Sequence, residues 1–122
     1  MKNIQRGDIF YIKKGLVSGS EQMAGRPGIV VSNDSCNKYS PVIEIVYLTG
    51  MARRELPTHV KIHSSEIPSI ALCEQIHSVS KNRFSTYIGR ITRSEQAEIN
   101  KALSISLELV GGLNDALENC IK

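Results

Sequence analysis

Three polar residues stand at the ends of predicted strands, where a side chain can reach a ligand. Arg26 precedes Pro27, which favours extended backbone, and lies at the mouth of an apolar run. Its guanidinium can present a bidentate fork to a phosphate, or pair with a carboxylate such as Glu21. Thr49 can hydrogen-bond a phosphate or a sugar, or serve only as a β-branched strand residue. Gln75 can read a base edge or satisfy backbone groups.

The histidines and cysteines lack the spacing of a metal site. They are His59, His63 and His77, and Cys36, Cys73 and Cys120. In a β context the i, i+4 pair of histidines is not a metal pair, and a surface or half-buried structural role is expected for each. No C-x-x-C pair occurs, so the cysteines are expected to be reduced, packed thiols. The sequence also lacks a Walker loop and the G-x-G-x-x-G, H-E-x-x-H and G-x-S-x-G motifs.

The elements that must position the polar residues are mostly strands. The predicted strands are Asp8–Ile12, Gly28–Ser32, Pro41–Thr49, His59–Ile62, Ser69–Cys73 and Thr86–Ile91. Between them, Lys13–Gly25 is predicted to be a flexible loop and Asn33–Asn37 a turn. A capping box at Thr92–Glu95 begins a helix that Gly111–Gly112 ends, and Leu113–Ile121 predicts a second short helix. This pattern favours a mainly β fold, a small barrel or sandwich, with C-terminal helices.

Length and charge exclude several classes of protein. The chain has 122 residues, which favours one domain, and its 41% hydrophobic and 22% charged residues are typical of a globular fold. The net charge of +3 is weak for a dedicated binder of double-stranded DNA, but it permits single-stranded RNA or an acidic protein as partner. Neither a membrane-spanning apolar run nor a secretory signal is found, so a cytoplasmic protein without membrane association is expected.

A series of segments, in order and in register, resembles the MazF/PemK toxin family. The segments are Arg6–Ile9, Gly19–Gln22, Gly25–Pro27, Ile29–Asp34, Asn37, Ser40–Pro41, Leu48–Thr49, Leu56–Val60, Glu74–Ile76 and Ala102–Leu107. Gly-Ser-Glu-Gln followed by Arg-Pro, then Thr-His-Val, then Glu-Gln-Ile, is specific as a series. The resemblance extends over most of the chain.

This resemblance implies a toxin of a type II toxin–antitoxin pair. The implied fold is an SH3-like small barrel of the PemK/MazF/CcdB type, over residues 6–91, with a helical part over 94–122, and the implied assembly is a homodimer. Most members are sequence-specific, metal-independent endoribonucleases that cut single-stranded mRNA and use no cofactor. The catalytic pair of the family falls on Arg26 and Thr49, and the expected protein partner is a short acidic antitoxin. The side chains expected to contact RNA are Ser20, Glu21, Gln22, Asn33, Asn37 and Gln75.

The chemistry follows from RNA itself, because the 2′-hydroxyl is the nucleophile and no Ser or Cys is needed. Arg26 is expected to stabilise charge on the phosphate and Thr49 to hold the reacting groups in line. Aromatic residues are only 5% of the chain, so stacking is limited to residues such as Tyr39 or Tyr47. Two alternatives stay open: a non-enzymatic CcdB-like toxin that binds DNA gyrase, and an inactive SH3-like binding module.

Overall fold

The structure, a computed structural model, describes residues 3–14, 25–50 and 54–109. The strands are β1 (Asp8–Ile12), β2 (Arg26–Val30), β3 (Val42–Thr49), β4 (His59–Ile62), β5 (Ser69–Ser80) and β6 (Phe84–Arg90). The helices are α1 (Asp34–Tyr39) and α2 (Arg93–Leu107), with a 3₁₀ turn over Lys81–Arg83. The predicted mainly β fold with a C-terminal helix is confirmed.

The strands form one antiparallel sheet in the order β4-β5-β3-β2-β1-β6. Among the described residues the sheet is not closed, and β4 and β6 are its edges. A pronounced irregularity bends β5, because Val46 pairs with Ile76 while Leu48 pairs with Ala71. Residues 72–75 therefore lie opposite Tyr47 alone. Such bulges re-aim side chains and are common beside active sites.

Two hydrophobic cores lie on opposite faces of this sheet. Along β3 the faces alternate, as expected for a strand. Val46 and Leu48 belong to the core that α2 covers, whereas Ile43 and Ile45 belong to the second core. Tyr47 is half-buried at the rim of the second core. The residues that follow the second core along this face are therefore well placed to line a surface site.

Helix α2 begins as the sequence predicts. The Thr92 side chain accepts from the Glu95 N–H, and the Glu95 side chain accepts from the Thr92 N–H, so the capping box is formed. The helix ends earlier than predicted, at Leu107, because Glu108 adopts left-handed backbone with φ 53°. Its N–H bonds the carbonyls of the last turn, as a C-cap does. The predicted second helix, Leu113–Ile121, lies outside the described residues.

Several local predictions were wrong. The predicted turn at 33–37 is helix α1, for which Asn33 is the N-cap rather than part of a turn. Strand β5 extends to Ser80, well beyond the predicted end at Cys73, so Gln75 lies inside the strand and not at its end. Cys73 is buried as predicted, whereas Cys36 is exposed on α1. No helix within the described ranges is long and apolar enough to cross a membrane.

Candidate active site

Arg26 is the first residue of β2, where the chain returns to the sheet. Gly25 passes so close to β1 that a Cβ at this position would overlap the Ile12 carbonyl oxygen. Only glycine fits this approach, and Arg26 then pairs with Ile12 across β1 and β2. The Arg26 side chain is exposed at the mouth of the strand. The prediction that its charge stays out of the core is confirmed.

The register of β2 and β3 relates Arg26 to Thr49. The pairing of β2 with β3 ends where Gly28 lies opposite Tyr47. Arg26 lies two residues before Gly28, as the first residue of β2, and Thr49 lies two residues after Tyr47, as the last residue of β3. Thr49 ends β3, as predicted, and is half-buried where β3 pairs with Ile70 of β5. The two residues predicted to be catalytic therefore belong to adjacent strand ends.

The Tyr47 ring is the support on which Arg26 rests. The Arg26 guanidinium carbon lies 4.6 Å from the centroid of the ring, a cation–π contact. Within the described ranges, no Asp or Glu forms an ion pair with Arg26. A carboxylate would compete with a phosphate for the guanidinium, whereas an aromatic ring orients the group and leaves its N–H donors available.

Two further side chains surround the same tyrosine. The His77 ring packs edge-on against Tyr47, with centroids 4.9 Å apart and an interplanar angle of 64°. An Arg83 Nη donates to the Tyr47 hydroxyl at 3.4 Å, while Arg83 Nε donates to the Lys13 carbonyl at 2.7 Å. The bond to Lys13 fixes the Arg83 guanidinium at the point where β1 leads into residues 15–24, which lie outside the described part of the chain.

These residues line an open cavity of about 340 Å³. We call it the cationic cleft and define it by Lys14, Arg26, Tyr47, His77 and Arg83. Its remaining lining residues are Ile12, Gly25, Ser78 and Val79. No carboxylate among the described residues lines the cleft, so its fixed charge is positive. Its size is within the range of pockets that hold small ligands, and its charge suits a phosphate.

The residues predicted to contact RNA have different surroundings. Ser20, Glu21 and Gln22 lie outside the described residues. The Asn33 side chain accepts from the Cys36 N–H as the cap of α1. Asn37 is buried, and its amide nitrogen donates to the Ser32 carbonyl and to Asp34 while its oxygen accepts from the Ser32 hydroxyl. These bonds are typical of a structural role, and RNA contact by Asn33 or Asn37 stays a prediction.

Gln75 is exposed in the bulged part of β5, beside a well-ordered group of polar contacts. The Glu74 carboxylate accepts from the Thr58 hydroxyl at 3.0 Å and lies 3.0 Å from His59 Nε2. Burial alone would raise the pKa of Glu74, but hydrogen bonds from its own N–H, His59 and Thr58 lower that pKa below its ordinary value. This group fixes the backbone next to Gln75.

Three residues of the cleft were missed or assigned a different role from sequence. His77 was expected to have a surface or half-buried structural role, and the structure places its exposed side chain in the cleft. The sequence assigned no functional role to Arg83, and Tyr47 was only a candidate for stacking. The alternation of β3 contains a usable signal, because Tyr47 and Thr49 continue the face of Ile43 and Ile45. The positions of His77 and Arg83 depend on the bulge and on the 3₁₀ turn, which the sequence does not reveal.

The fold and cleft define a class of protein: a small β-rich domain with one packed helix among its described residues and a cationic surface cleft. The chain belongs to the PemK-like, MazF-like toxins of type II toxin–antitoxin systems, whose family model matches residues 5–107. A relative described as Endoribonuclease MazF, from Staphylococcus saprophyticus, is 36% identical over 111 residues, covering 87% of this chain and 92% of the relative. The predicted family is confirmed.

Solved structures support the same assignment. An endoribonuclease from mycobacterial species superimposes with a TM-score of 0.74 at 25% identity, covering 91% of this chain and 97% of that chain. A mycobacterial endoribonuclease in complex with its cognate antitoxin gives a TM-score of 0.73 at 26% identity, covering 88% of this chain and 98% of that chain. The fold is thus shared across nearly the whole length of these proteins.

Proposed function

We propose that this protein is a cytoplasmic endoribonuclease toxin that cuts single-stranded mRNA at specific sequences, without a metal ion, and is inhibited by a cognate antitoxin. The observation that carries this proposal is the Arg26 guanidinium held on the Tyr47 ring in a cleft without a described carboxylate. Membership of a family with relatives described as endoribonucleases supports it. A cationic cleft in which an arginine keeps its donors available is suited to a backbone phosphate.

The proposed reaction uses the ribose as the source of the nucleophile. The 2′-oxygen attacks the adjacent phosphorus, a P–O2′ bond forms and the P–O5′ bond breaks. The products are a 2′,3′-cyclic phosphate and a 5′-hydroxyl. Negative charge grows on the non-bridging oxygens, where the bidentate Arg26 fork stabilises it. The Thr49 hydroxyl, at the adjacent strand end, holds the phosphate or the 2′-hydroxyl in line.

Recognition of the RNA sequence requires unstacked bases bonded on their edges. Gln75 is exposed on β5, two residues before His77 of the cleft, and is suited to this role. Ser20, Glu21 and Gln22 are proposed to join it. Arg83 contributes a second guanidinium, one tyrosine ring away from Arg26. The backbone phosphates of RNA and the acidic tail of an antitoxin would compete for these cations. The proposed functional unit is a homodimer.

Cleavage of a long, unstructured RNA in excess EDTA tests the proposal. We expect wild-type protein to cut at a recurring short motif and leave 5′-hydroxyl ends, while Arg26→Ala and Thr49→Ala leave the RNA intact. Arg26→Lys keeps the charge but loses the bidentate fork, so it should remain severely impaired. Intact RNA with folded wild-type protein would overturn the proposal and favour the alternative of a toxin that binds DNA gyrase. Cleavage that EDTA abolishes would overturn metal independence.

A further inference from the structure

The proposed reaction needs a group that accepts the proton of the 2′-hydroxyl. An arginine side chain has an ordinary pKa above about 12 and is a poor base near neutral pH. A threonine hydroxyl is also a poor base. We propose that His77 is the general base of this site and takes the 2′-hydroxyl proton of RNA bound at Arg26. This inference rests on the proposed endoribonuclease activity.

His77 and Arg26 contact the same tyrosine ring and line the same cleft. The His77 ring contacts the edge of Tyr47 at 4.9 Å, and Arg26 covers the same tyrosine at 4.6 Å, so both groups touch one ring. Both also line the cationic cleft. Because the His77 side chain is exposed, its nitrogens are accessible to a nucleotide in the cleft. A phosphate held by Arg26 therefore places its ribose in the same small cavity as the imidazole.

The other groups facing His77 do not suit the task. They are Lys14 after β1, Arg26 on β2, Tyr47 on β3 and Arg83 on the 3₁₀ turn. Arginine, lysine and tyrosine side chains all ordinarily hold their protons to about pH 10 or above. Of these side-chain types, histidine ordinarily titrates closest to neutral pH, so an imidazole is chemically the best suited to accept a proton there. Ser78 beside it donates to both Glu44 carboxylate oxygens at 2.8 Å.

The two other histidines are placed differently. His59 has both ring nitrogens close to oxygen acceptors, with Nδ1 2.8 Å from the Arg54 carbonyl and Nε2 3.0 Å from Glu74. Both ring nitrogens of His59 are therefore engaged in contacts within the fold. His63 follows β4, and its backbone N–H donates to Glu95 of α2, away from the cleft. Among the described histidines, His77 alone lines the cationic cleft.

The proposed step balances without a co-reactant. As O2′ attacks phosphorus, its proton moves to the free imidazole nitrogen of His77, and the resulting imidazolium later returns the proton to solvent. The P–O5′ bond breaks, and O5′ takes a proton from water. Arg26 keeps its charge throughout and stabilises the phosphate oxygens. General base catalysis of this kind contributes roughly 10²- to 10⁴-fold.

Single-turnover cleavage measured against pH tests this role, with His63→Asn as the matched control. We expect the wild-type cleavage rate to rise with pH through the neutral range and reach a plateau. The His63→Asn variant should show the same pH profile. His77→Asn should lower the plateau at least about 100-fold and remove the rise, while circular dichroism shows an unchanged fold. Retention of the wild-type profile in His77→Asn would overturn the inference. The inference would also be overturned if Glu21→Gln, and not His77→Asn, removed the rise of the cleavage rate with pH.

A substrate with sulfur in place of the 5′-bridging oxygen separates base from acid. Sulfur leaves readily without a proton, so a general acid becomes unnecessary with this substrate. The His77→Asn defect should persist, because the 2′-hydroxyl proton must still be removed. Rescue of His77→Asn by the sulfur substrate would make His77 an acid and overturn its role as base. If wild-type protein cleaves no RNA at any pH, the proposed function fails as well, whereas a failure of His77 alone leaves cleavage intact.

Discussion

The charged groups of this protein fall into two regions with opposite arrangements. In the first region, two carboxylates, which we call the anchors, hold neighbouring elements together: Asp8 joins β1 to β6, and Glu95 joins α2 to the end of β4. Asp8 is fully buried and binds Arg90 at 2.9 Å, and Glu95 accepts from the His63 N–H at 2.7 Å and from the Thr92 N–H at 2.8 Å. In the second region, the cationic cleft, Arg26 rests on an aromatic ring and is exposed.

The difference separates charges that hold the fold from charges that are available to a ligand. A buried carboxylate is costly unless every lone pair finds a donor, so the anchors are stabilising only while all their partners are present. An exposed cation on a ring costs little to maintain and gains its main partner on binding. Substitutions in the first region should therefore change stability, and substitutions in the second should change activity.

The largest expected effect comes from a pair of arginine substitutions, one in each region. Arg26→Ala should reduce cleavage by about 10³-fold, as expected for loss of a charged donor to the transition state. Its effect on the unfolding free energy should be below about 1 kcal/mol, because the side chain is exposed. Arg90→Ala removes the ion pair with the buried Asp8 and should cost about 2 kcal/mol of stability, less than for a fully buried pair because Arg90 is half-exposed.

Cleavage rates and urea unfolding of both variants measure the comparison. Cleavage by Arg90→Ala should stay within a few-fold of wild type at a temperature where the variant is folded. The division between the two regions is wrong if Arg26→Ala is destabilised as strongly as Arg90→Ala. It is equally wrong if Arg90→Ala folds normally and yet loses cleavage.

Part of the pH dependence of stability should come from Glu95, one of the two anchors. Burial alone would raise the pKa of Glu95, but hydrogen bonds from Ser64, Thr92 and His63 lower that pKa below its ordinary value. A carboxylate with a lowered pKa stabilises the fold above the pKa of the unfolded chain, about 4.3. That stability is lost as the pH falls through the lower pKa of the folded state. The unfolding free energy should therefore decrease below roughly pH 4.3.

Glu95→Gln tests this assignment. The neutral amide has one acceptor oxygen for three donors, so stability at pH 7 should fall by about 2 kcal/mol. The loss of stability from pH 5 to pH 3 should also be smaller than in wild type, because one titrating group has been removed. Urea unfolding at several pH values measures both effects. An unchanged pH slope in Glu95→Gln would assign the acid sensitivity to other carboxylates, such as Glu74, whose pKa is also lowered.

Sequence patterns predicted some local features correctly and missed others, such as helix α1, and they predicted the long-range contacts poorly. The capping box at Thr92 and the end of β3 at Thr49 are set by short-range rules, and both were predicted correctly. The resemblance to a family singled out Arg26. Hydrophobic periodicity alone does not predict which side chains surround this residue. The approach of His77 to Tyr47 depends on the bulge in β5. A bulge shifts the register by a few residues, and nothing in the composition of 72–75 specifies it.

The smallest expected effect is on salt dependence, and it tests whether Arg83 belongs to the ligand-binding region or only to the fold. Its Nε bond to the Lys13 carbonyl is a structural contact, whereas its position beside the Tyr47 hydroxyl suits a phosphate. Release of counterions predicts that each phosphate contact on single-stranded RNA adds about 0.7 to the slope of log K against log salt. Arg83→Gln should reduce that slope by about this amount and weaken binding roughly tenfold.

The salt dependence of binding can be measured apart from catalysis with 2′-O-methyl RNA, which cannot be cleaved. Arg93→Gln removes an exposed arginine at the start of α2, away from the cleft, and should leave the slope unchanged. Arg83→Lys keeps a cation and should retain most of the slope even though it loses the fork that bonds Lys13. A purely structural Arg83 predicts the opposite result: both Arg83 variants would lose stability, and the slope of Arg83→Gln would match that of Arg93→Gln.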